Sequence, residues 1–183
     1  MPNPNNPPPV PLAEINRASY NTSTMELERT VILIKPDGIQ RGLVGNIIGR
    51  FEQKGLKLVG IKMLRADSKL LEEHYKHHKD KPFFESLTKY MSSSPIIAML
   101  WEGVEAVDVV RSICGSTVGR EADIGTIRGD LSMSHQATLV HASDSKETAK
   151  AETTRFFAEE EIFDYRKDEY FQIYAEDEWR PKE

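Results

Sequence analysis

The sequence predicts an α/β sandwich of βαββαβ type, one sheet backed by helices. Three observations point there. Short apolar, β-branched runs closed by turn residues alternate with segments of helical spacing. The elements follow one another as β-α-β-α-α-β-α-loop-β-α. The chain has 183 residues, 39% of them hydrophobic, enough for one core with an appendage. No apolar run approaches the roughly 18–20 residues of a membrane span.

Residues 29–35 (RTVILIK) form a buried strand, closed by a turn at Pro36-Asp37-Gly38. Residues 44–54 carry apolar side chains at 44, 47, 48 and 51, a helix stopped by Gly55. Residues 56–64 alternate as a strand. Ser68 caps the next helix, with Leu70, Leu71, His74 and Tyr75 along one stripe. Pro82 opens a further helix running to about Met91. Residues 95–101 (PIIAMLW) form another buried strand, and 104–114 a helix. Residues 115–135 hold four glycines and make a long loop, the kind that carries function. Residues 137–141 form the last strand. A helix over 144–157 follows, with Asp144 and Glu147 as its capping box.

Charge and proline are unevenly spread. The net charge is −5, but residues 158–183 alone carry −6, leaving +1 for the rest. The body is therefore open to phosphorylated ligands and lacks the basic excess expected of a nucleic-acid binder. Six of the ten prolines lie within the first eleven residues. These features divide the chain into a disordered Pro/Asn-rich extension (1–25), an ordered domain (26–165) and an acidic C-terminal segment (166–183). One cysteine excludes an internal disulfide framework and a Cys-only metal cluster, which suits a reducing, cytoplasmic setting.

The most informative stretch is Thr138-Leu139-Val140-His141-Ala142-Ser143-Asp144-Ser145. A strand delivers His141 to its C-terminal end, beside the free N–H groups of a helix N-terminus, where anions bind. An imidazole whose second nitrogen is held by an acceptor can attack phosphorus, and Glu152, two turns into the next helix, is the candidate acceptor. Taken alone, His141 reads more simply as a strand-end histidine capping a turn. Phosphoryl chemistry also needs cations, and Lys35, Arg111 and Arg128 are candidates; alone, Arg111 reads more simply as a solvated charge. No G-x-x-x-x-G-K-[ST] motif is present. His74 and His78 are spaced i, i+4 as a metal pair would be, but without a third ligand nearby they read as a solvated helix face. Cys114 reads as a small buried hydrophobe. Tyr75, Phe83, Phe84 and Leu87 read as either a clamp for a base or core.

Six segments, in order and at near-constant spacing, resemble the nucleoside diphosphate kinase family. They are Ile34-Lys35-Pro36-Asp37-Gly38, Gln40-Arg41-Gly42-Leu43-Val44-Gly45, Arg50-Phe51-Glu52-Gln53-Lys54-Gly55, Lys79-Asp80-Lys81-Pro82-Phe83-Phe84, Gly125-Thr126-Ile127-Arg128-Gly129-Asp130 and His141-Ala142-Ser143-Asp144-Ser145. The resemblance covers residues 26–165. It implies a ferredoxin-like βαββαβ fold with a four-stranded antiparallel sheet. It also implies a ping-pong reaction in which the γ-phosphate of a nucleoside triphosphate passes to His141 and then to a nucleoside diphosphate, with Mg²⁺ on the nucleotide phosphates.

Under the resemblance, His141 reacts through Nδ1 and Glu152 steadies its ring. Lys35 lies at the ribose and γ-phosphate, and Tyr75 and Ser143 are supporting hydroxyls. Arg111, Thr117 and Arg128 bind phosphate, Phe83 stacks on the base with Leu87 behind it, and Asp144 reaches Mg²⁺ through water. It further implies a homo-oligomer, tetramer or hexamer; the hydropathy and charge balance predict no membrane or specific nucleic-acid partner. Three positions depart from the family pattern. Thr138 stands for an asparagine that contacts sugar and phosphate. Ser134 stands for an apolar residue beside the base. Gly119 stands for a loop proline that supports subunit assembly, and leaves that loop freer.

Overall fold

Five consecutive apolar or β-branched residues, Thr30 to Ile34, are fully buried in the strand β1 (Leu27–Ile34). Such a run needs cover on both faces, and β1 sits inside a sheet. The structure is a computed structural model, and it describes residues 26–175 and residue 178. The disordered head expected for residues 1–25 lies outside the described residues. In the sheet, β2 (Lys57–Leu64), β3 (Ile96–Val104) and β4 (Val140–Ala142) join β1 in the order β2-β3-β1-β4, with every neighbour antiparallel. This is the ferredoxin-like arrangement that the sequence predicts.

The two faces of β1 feed two cores. Ile32 and Ile34 pack with Phe51, Trp101 and Val110 on one side, and Val31 and Leu33 pack with Leu71, Met91 and Phe156 on the other. The first core lies under α2 (Val44–Gln53) and α5 (Ala106–Cys114). The second lies under α3 (Ser68–His74), α4 (Phe84–Ser92) and α7 (Lys146–Phe156). Cys114 is buried in the first core, as expected of a small hydrophobe.

Several boundaries differ from the sequence prediction for local reasons. Pro36-Asp37-Gly38 is not a simple turn but opens a short helix, α1 (Pro36–Gln40), because proline suits the first helical position. The cap of α3 is Asp67, whose carboxylate accepts the Leu70 N–H at 2.8 Å; Ser68 is already helical. Val104 stays in β3, and α5 starts two residues later, after Glu105 breaks the chain direction at a φ of 49°. The expected capping box at Asp144 and Glu147 is absent: Ser145 caps α7, accepting the Thr148 N–H at 3.1 Å. The last strand is short because Leu139 turns to a φ of 68° just before it. Alternation along β2 is broken by a register shift between Leu58 and Gly60.

The long loop 115–135 is folded. It contains a turn of 3₁₀ helix (Gly119–Glu121) and α6 (Ile127–Leu131), capped by the Thr126 hydroxyl, which accepts the Gly129 N–H at 3.0 Å. Gly119 does not loosen it. Gly119 is buried, its N–H donates to the Ser134 carbonyl at 3.1 Å, and a Cβ there would meet the Ser132 carbonyl oxygen at 2.5 Å. Only glycine permits that approach, and a proline would also remove the hydrogen bond.

The segment after residue 162 lies against the body. The Phe163 N–H donates to the Val59 carbonyl at 2.8 Å, and the Lys167 ammonium donates to the carbonyls of Gly55 and Leu56 at 3.1 and 2.9 Å. In α8 (Tyr170–Ile173) the ring of Tyr170 is buried, and the next residue, Tyr174, accepts the Val104 N–H on its hydroxyl at 3.2 Å. No helix among the described residues is long and apolar enough to cross a membrane.

Candidate active site

The C-terminal end of β1, the start of α7 and the folded loop meet around a cleft of about 720 Å³. Lys35, Tyr75, Phe83, Leu87, Arg111, Thr117, Arg128, His141 and Asp144 all line it, so most of the residues singled out from sequence are brought together. Glu152, Ser143 and Thr138 stand behind this lining, fully or almost fully buried.

His141 is gripped from behind. Its Nε2 lies 2.8 Å from Glu152 Oε1, and the other carboxylate oxygen of Glu152 accepts the Ser143 hydroxyl at 2.6 Å. Ser143 is itself anchored, its hydroxyl accepting the Val31 N–H at 3.2 Å. The chain of bonds therefore runs from the backbone of the central strand to the imidazole. A buried carboxylate on Nε2 selects the tautomer with hydrogen there and leaves Nδ1 with its lone pair.

His74 does not belong to a solvated helix face. It is buried edge-on to the His141 ring, with centroids 4.6 Å apart, and its Nδ1 is 3.6 Å from Glu152. Burial, reinforced by His141, lowers its pKa to about 2, so it is a neutral wall. His78 lies beyond the helix end in the 3₁₀ turn Lys76–His78, so the i, i+4 pair does not form a common face.

The cations play unequal parts. Lys35 donates to Thr138 Oγ1 at 2.8 Å, and burial together with Arg128 brings its pKa down to about 8. Thr138 does not line the cleft; it acts on the cleft through Lys35. Arg128 is buried, and its guanidinium donates to the carbonyls of Gly115, Thr138 and Val140 at 2.6, 3.3 and 2.9 Å. It thus stitches the folded loop to β4 while lining the cleft. Arg111, on the last turn of α5, is exposed.

At the other end of the cleft Phe83 is 46% exposed, with the His78 ring edge-on at 5.3 Å. Ser134 is not in this lining. Its hydroxyl accepts the N–H groups of Gln136 and Ala137, closing a turn, and the next residue, His135, occupies the cleft wall instead. Tyr75 and Phe84 belong to the core, and Tyr75 also reaches the cleft.

Sequence reasoning missed His77, His78, His135 and Gln136 on the wall, and gave no role to Asp37, which bonds the backbone between Thr138 and Val140. Asp37 was hidden inside a Pro-Asp-Gly turn signal; its carboxylate accepts the Leu139 N–H at 3.0 Å and the Tyr90 hydroxyl.

Comparison with known proteins decides what this arrangement belongs to. Residues 28–162 match the family model described as nucleoside diphosphate kinase. The chain belongs to the nucleoside diphosphate kinase family. A relative so named from Parabacteroides distasonis is 52% identical over 153 residues, covering 84% of this chain and all of that protein. One from Staphylothermus marinus is 55% identical over 141 residues, 77% of this chain and again the whole of the relative. Among solved structures, a halophilic nucleoside diphosphate kinase from Halobacterium salinarum in complex with CDP is 43% identical with a TM-score of 0.79, over 81% of this chain and 99% of that one. The family's activity is a phosphotransferase reaction, and this chain carries that general function.

Proposed function

We propose that His141 is the nucleophile that takes the γ-phosphate of a nucleoside triphosphate and passes it to a nucleoside diphosphate. The observation that carries this reading is the 2.8 Å bond from His141 Nε2 to the buried Glu152. With Nε2–H donated to Glu152, the Nδ1 lone pair attacks the γ-phosphorus and the bond to the β,γ-bridging oxygen breaks. The diphosphate leaves with that electron pair, and a second diphosphate reverses the step. As the phosphohistidine forms, positive charge develops on the ring, and Glu152 stabilises it.

Phosphoryl transfer depends chiefly on positioning and charge stabilisation. Lys35 and Arg111 supply charge at the phosphates, Thr117 and Tyr75 supply hydroxyls, and Arg128 holds the wall they share. Ser143 keeps Glu152 aligned. Phe83, backed by Leu87, takes the base against its exposed ring.

Mg²⁺ fits the donor set. Asp144 is the carboxylate in the cleft lining among the described residues, and a Thr148 hydroxyl holds its carboxyl below the usual range. Mg²⁺ usually keeps several waters and needs only one or two carboxylates beside the substrate phosphates. When bound it would neutralise phosphate charge, with Asp144 reached through water.

We further infer a homo-oligomer, tetramer or hexamer. Its support is the exposed apolar surface at Ile61 and Met63 on the sheet edge and at Ile124 and Met133 on the folded loop. A cytoplasmic location suits the single buried free thiol of Cys114.

The test is direct. Incubation with γ-labelled ATP and Mg²⁺ yields an acid-labile, base-stable phosphoprotein that transfers its label to GDP. His141→Ala yields none. An unlabelled wild type, or a mutant that labels equally, overturns the assignment.

A further inference from the structure

Among the described residues, Leu139 is a fully buried non-glycine residue in left-handed backbone, with a φ of 68°. The Val140 N–H donates to the Thr138 carbonyl at 2.7 Å, closing a three-residue turn around it. This γ-turn is the strained, left-handed form, and such backbone persists only where its surroundings fix it.

The surroundings come from one short segment. The Lys35 N–H donates to the Leu139 carbonyl at 2.8 Å, and Asp37 Oδ2 accepts the Leu139 N–H at 3.0 Å. Both backbone polar groups of Leu139 are thus held by residues 35 and 37. The second oxygen of Asp37 is occupied by the Tyr90 hydroxyl, which fixes the carboxylate plane from α4.

What hangs on the turn is the charged end of the cleft. Thr138, immediately before Leu139, accepts the Lys35 ammonium on its hydroxyl at 2.8 Å and the Arg128 Nε–H on its carbonyl at 3.3 Å. His141 follows two residues after Leu139. Without Asp37 the Leu139 N–H becomes a buried donor with no acceptor, and rotating the 138–139 peptide is the local relief. That rotation swings the Thr138 carbonyl off Arg128 and moves its hydroxyl relative to Lys35.

We propose that Asp37 is a positioning residue for phosphoryl transfer: its carboxylate, steadied by Tyr90, holds Leu139 left-handed and so sets where Thr138 holds Lys35. The inference rests on the reading that Lys35 and His141 serve the transferred phosphoryl group. Misplacement on the order of 1 Å near a reacting group costs about 10²-fold in rate.

Single-turnover phosphorylation by γ-labelled ATP and Mg²⁺ separates positioning from folding. The amplitude reports the fraction of folded sites, and the rate constant reports how well each site is arranged. Asp37→Ala lowers the rate constant by about 10- to 100-fold at near-full amplitude. Asp37→Asn keeps an acceptor for Leu139 and an amide for Tyr90, and restores the rate to within about threefold. Should Asp37→Ala fail to fold, Tyr90→Phe, which removes one hydroxyl, lowers the rate constant by about threefold with the amplitude intact.

A wild-type rate constant in the folded alanine variant overturns the proposal, whether or not the amplitude falls. So does an asparagine variant as slow as alanine, since charge would then matter and not the held turn. If alanine does not fold, an unchanged Tyr90→Phe rate constant does the same. A wild type that forms no phosphoenzyme defeats the underlying assignment instead, and is recognised before any variant is compared.

Discussion

The two ends of the cleft are built differently. At the His141 end, the groups behind the imidazole are buried and bonded in series: Val31 to Ser143, Ser143 to Glu152, Glu152 to His141. At the Phe83 end the wall is a half-exposed ring with His78, His77 and His135 around it, and Phe83 meets His78 through a ring edge. One end is preorganised and the other accommodates. Fixed dipoles and charges suit the phosphate, which is the same in every nucleotide, and a loose aromatic wall suits bases that differ. On the proposed reading, that division predicts similar kcat/KM for ATP, GTP and UTP.

That division predicts damage that differs in kind at the two ends. The largest effect is expected from Glu152→Gln, which removes the charge opposite the developing imidazolium; phosphoenzyme formation falls by about 10²–10³-fold with little change in nucleotide affinity. Rapid-quench kinetics measure it, and a loss under tenfold would mean the buried chain is scaffolding. Lys35 provides the next. With its pKa lowered to about 8, the ammonium is charged below that pH and neutral above it. kcat/KM for the triphosphate therefore declines as pH rises through about 8, approaching tenfold per pH unit. Lys35→Arg, which stays charged, moves that falling limb upward. A limb at the same pH in both proteins assigns it to another group.

At the accommodating end, Phe83→Ala raises KM by about tenfold through lost stacking, in similar measure for ATP, GTP and UTP, and leaves kcat near its original value. A large kcat loss, or an effect on one base alone, would erase the contrast between the ends. The last effect concerns stability, not activity. Folding holds His74 neutral down to about pH 2, whereas the unfolded chain takes up its proton near 6.5. Between those values the unfolded state binds more protons, so stability falls as pH falls, by up to about 1.4 kcal/mol per pH unit. His74→Phe removes that titration, and the decline of Tm between about pH 6.5 and 4.5 should flatten. Identical slopes in both proteins would show that carboxylates dominate the acid limb.

Legibility in the sequence followed locality. β1 and β3 were legible because burial on both faces writes a continuous apolar run. That His141, Glu152 and Lys35 come together was legible from the strand end, the helix after it and the six ordered family segments, whereas His141 alone reads as a turn cap. Asp37 was not: its partner Leu139 is 102 residues away, and within its own segment it looks like any turn aspartate. His74 reads as solvated through its i, i+4 spacing to His78, although the stripe it shares with Leu70, Leu71 and Tyr75 points inward; that α7 and β4 cover it is not written locally. Ser134 and His135 are adjacent, and only the turn closed by the Ser134 hydroxyl decides which of them faces the cleft. Gly119 suggested looseness as a residue type, while its packing against Ser132 makes it a close-packed point.

The segment beyond the family match has a practical consequence. The match ends at residue 162, yet Lys167 covers the carbonyls of Gly55 and Leu56, and a Cβ on Gly55 would meet Ile173 at 2.7 Å. Gly55 is also where α2 reverses, at a φ of 99°. A chain shortened to the limits of the shared domain would therefore open the hinge between α2 and β2 to water and strip Val104 of its acceptor on Tyr174. For a protease, a crystallographer or an engineer choosing where to cut, the working end of this enzyme lies past residue 174.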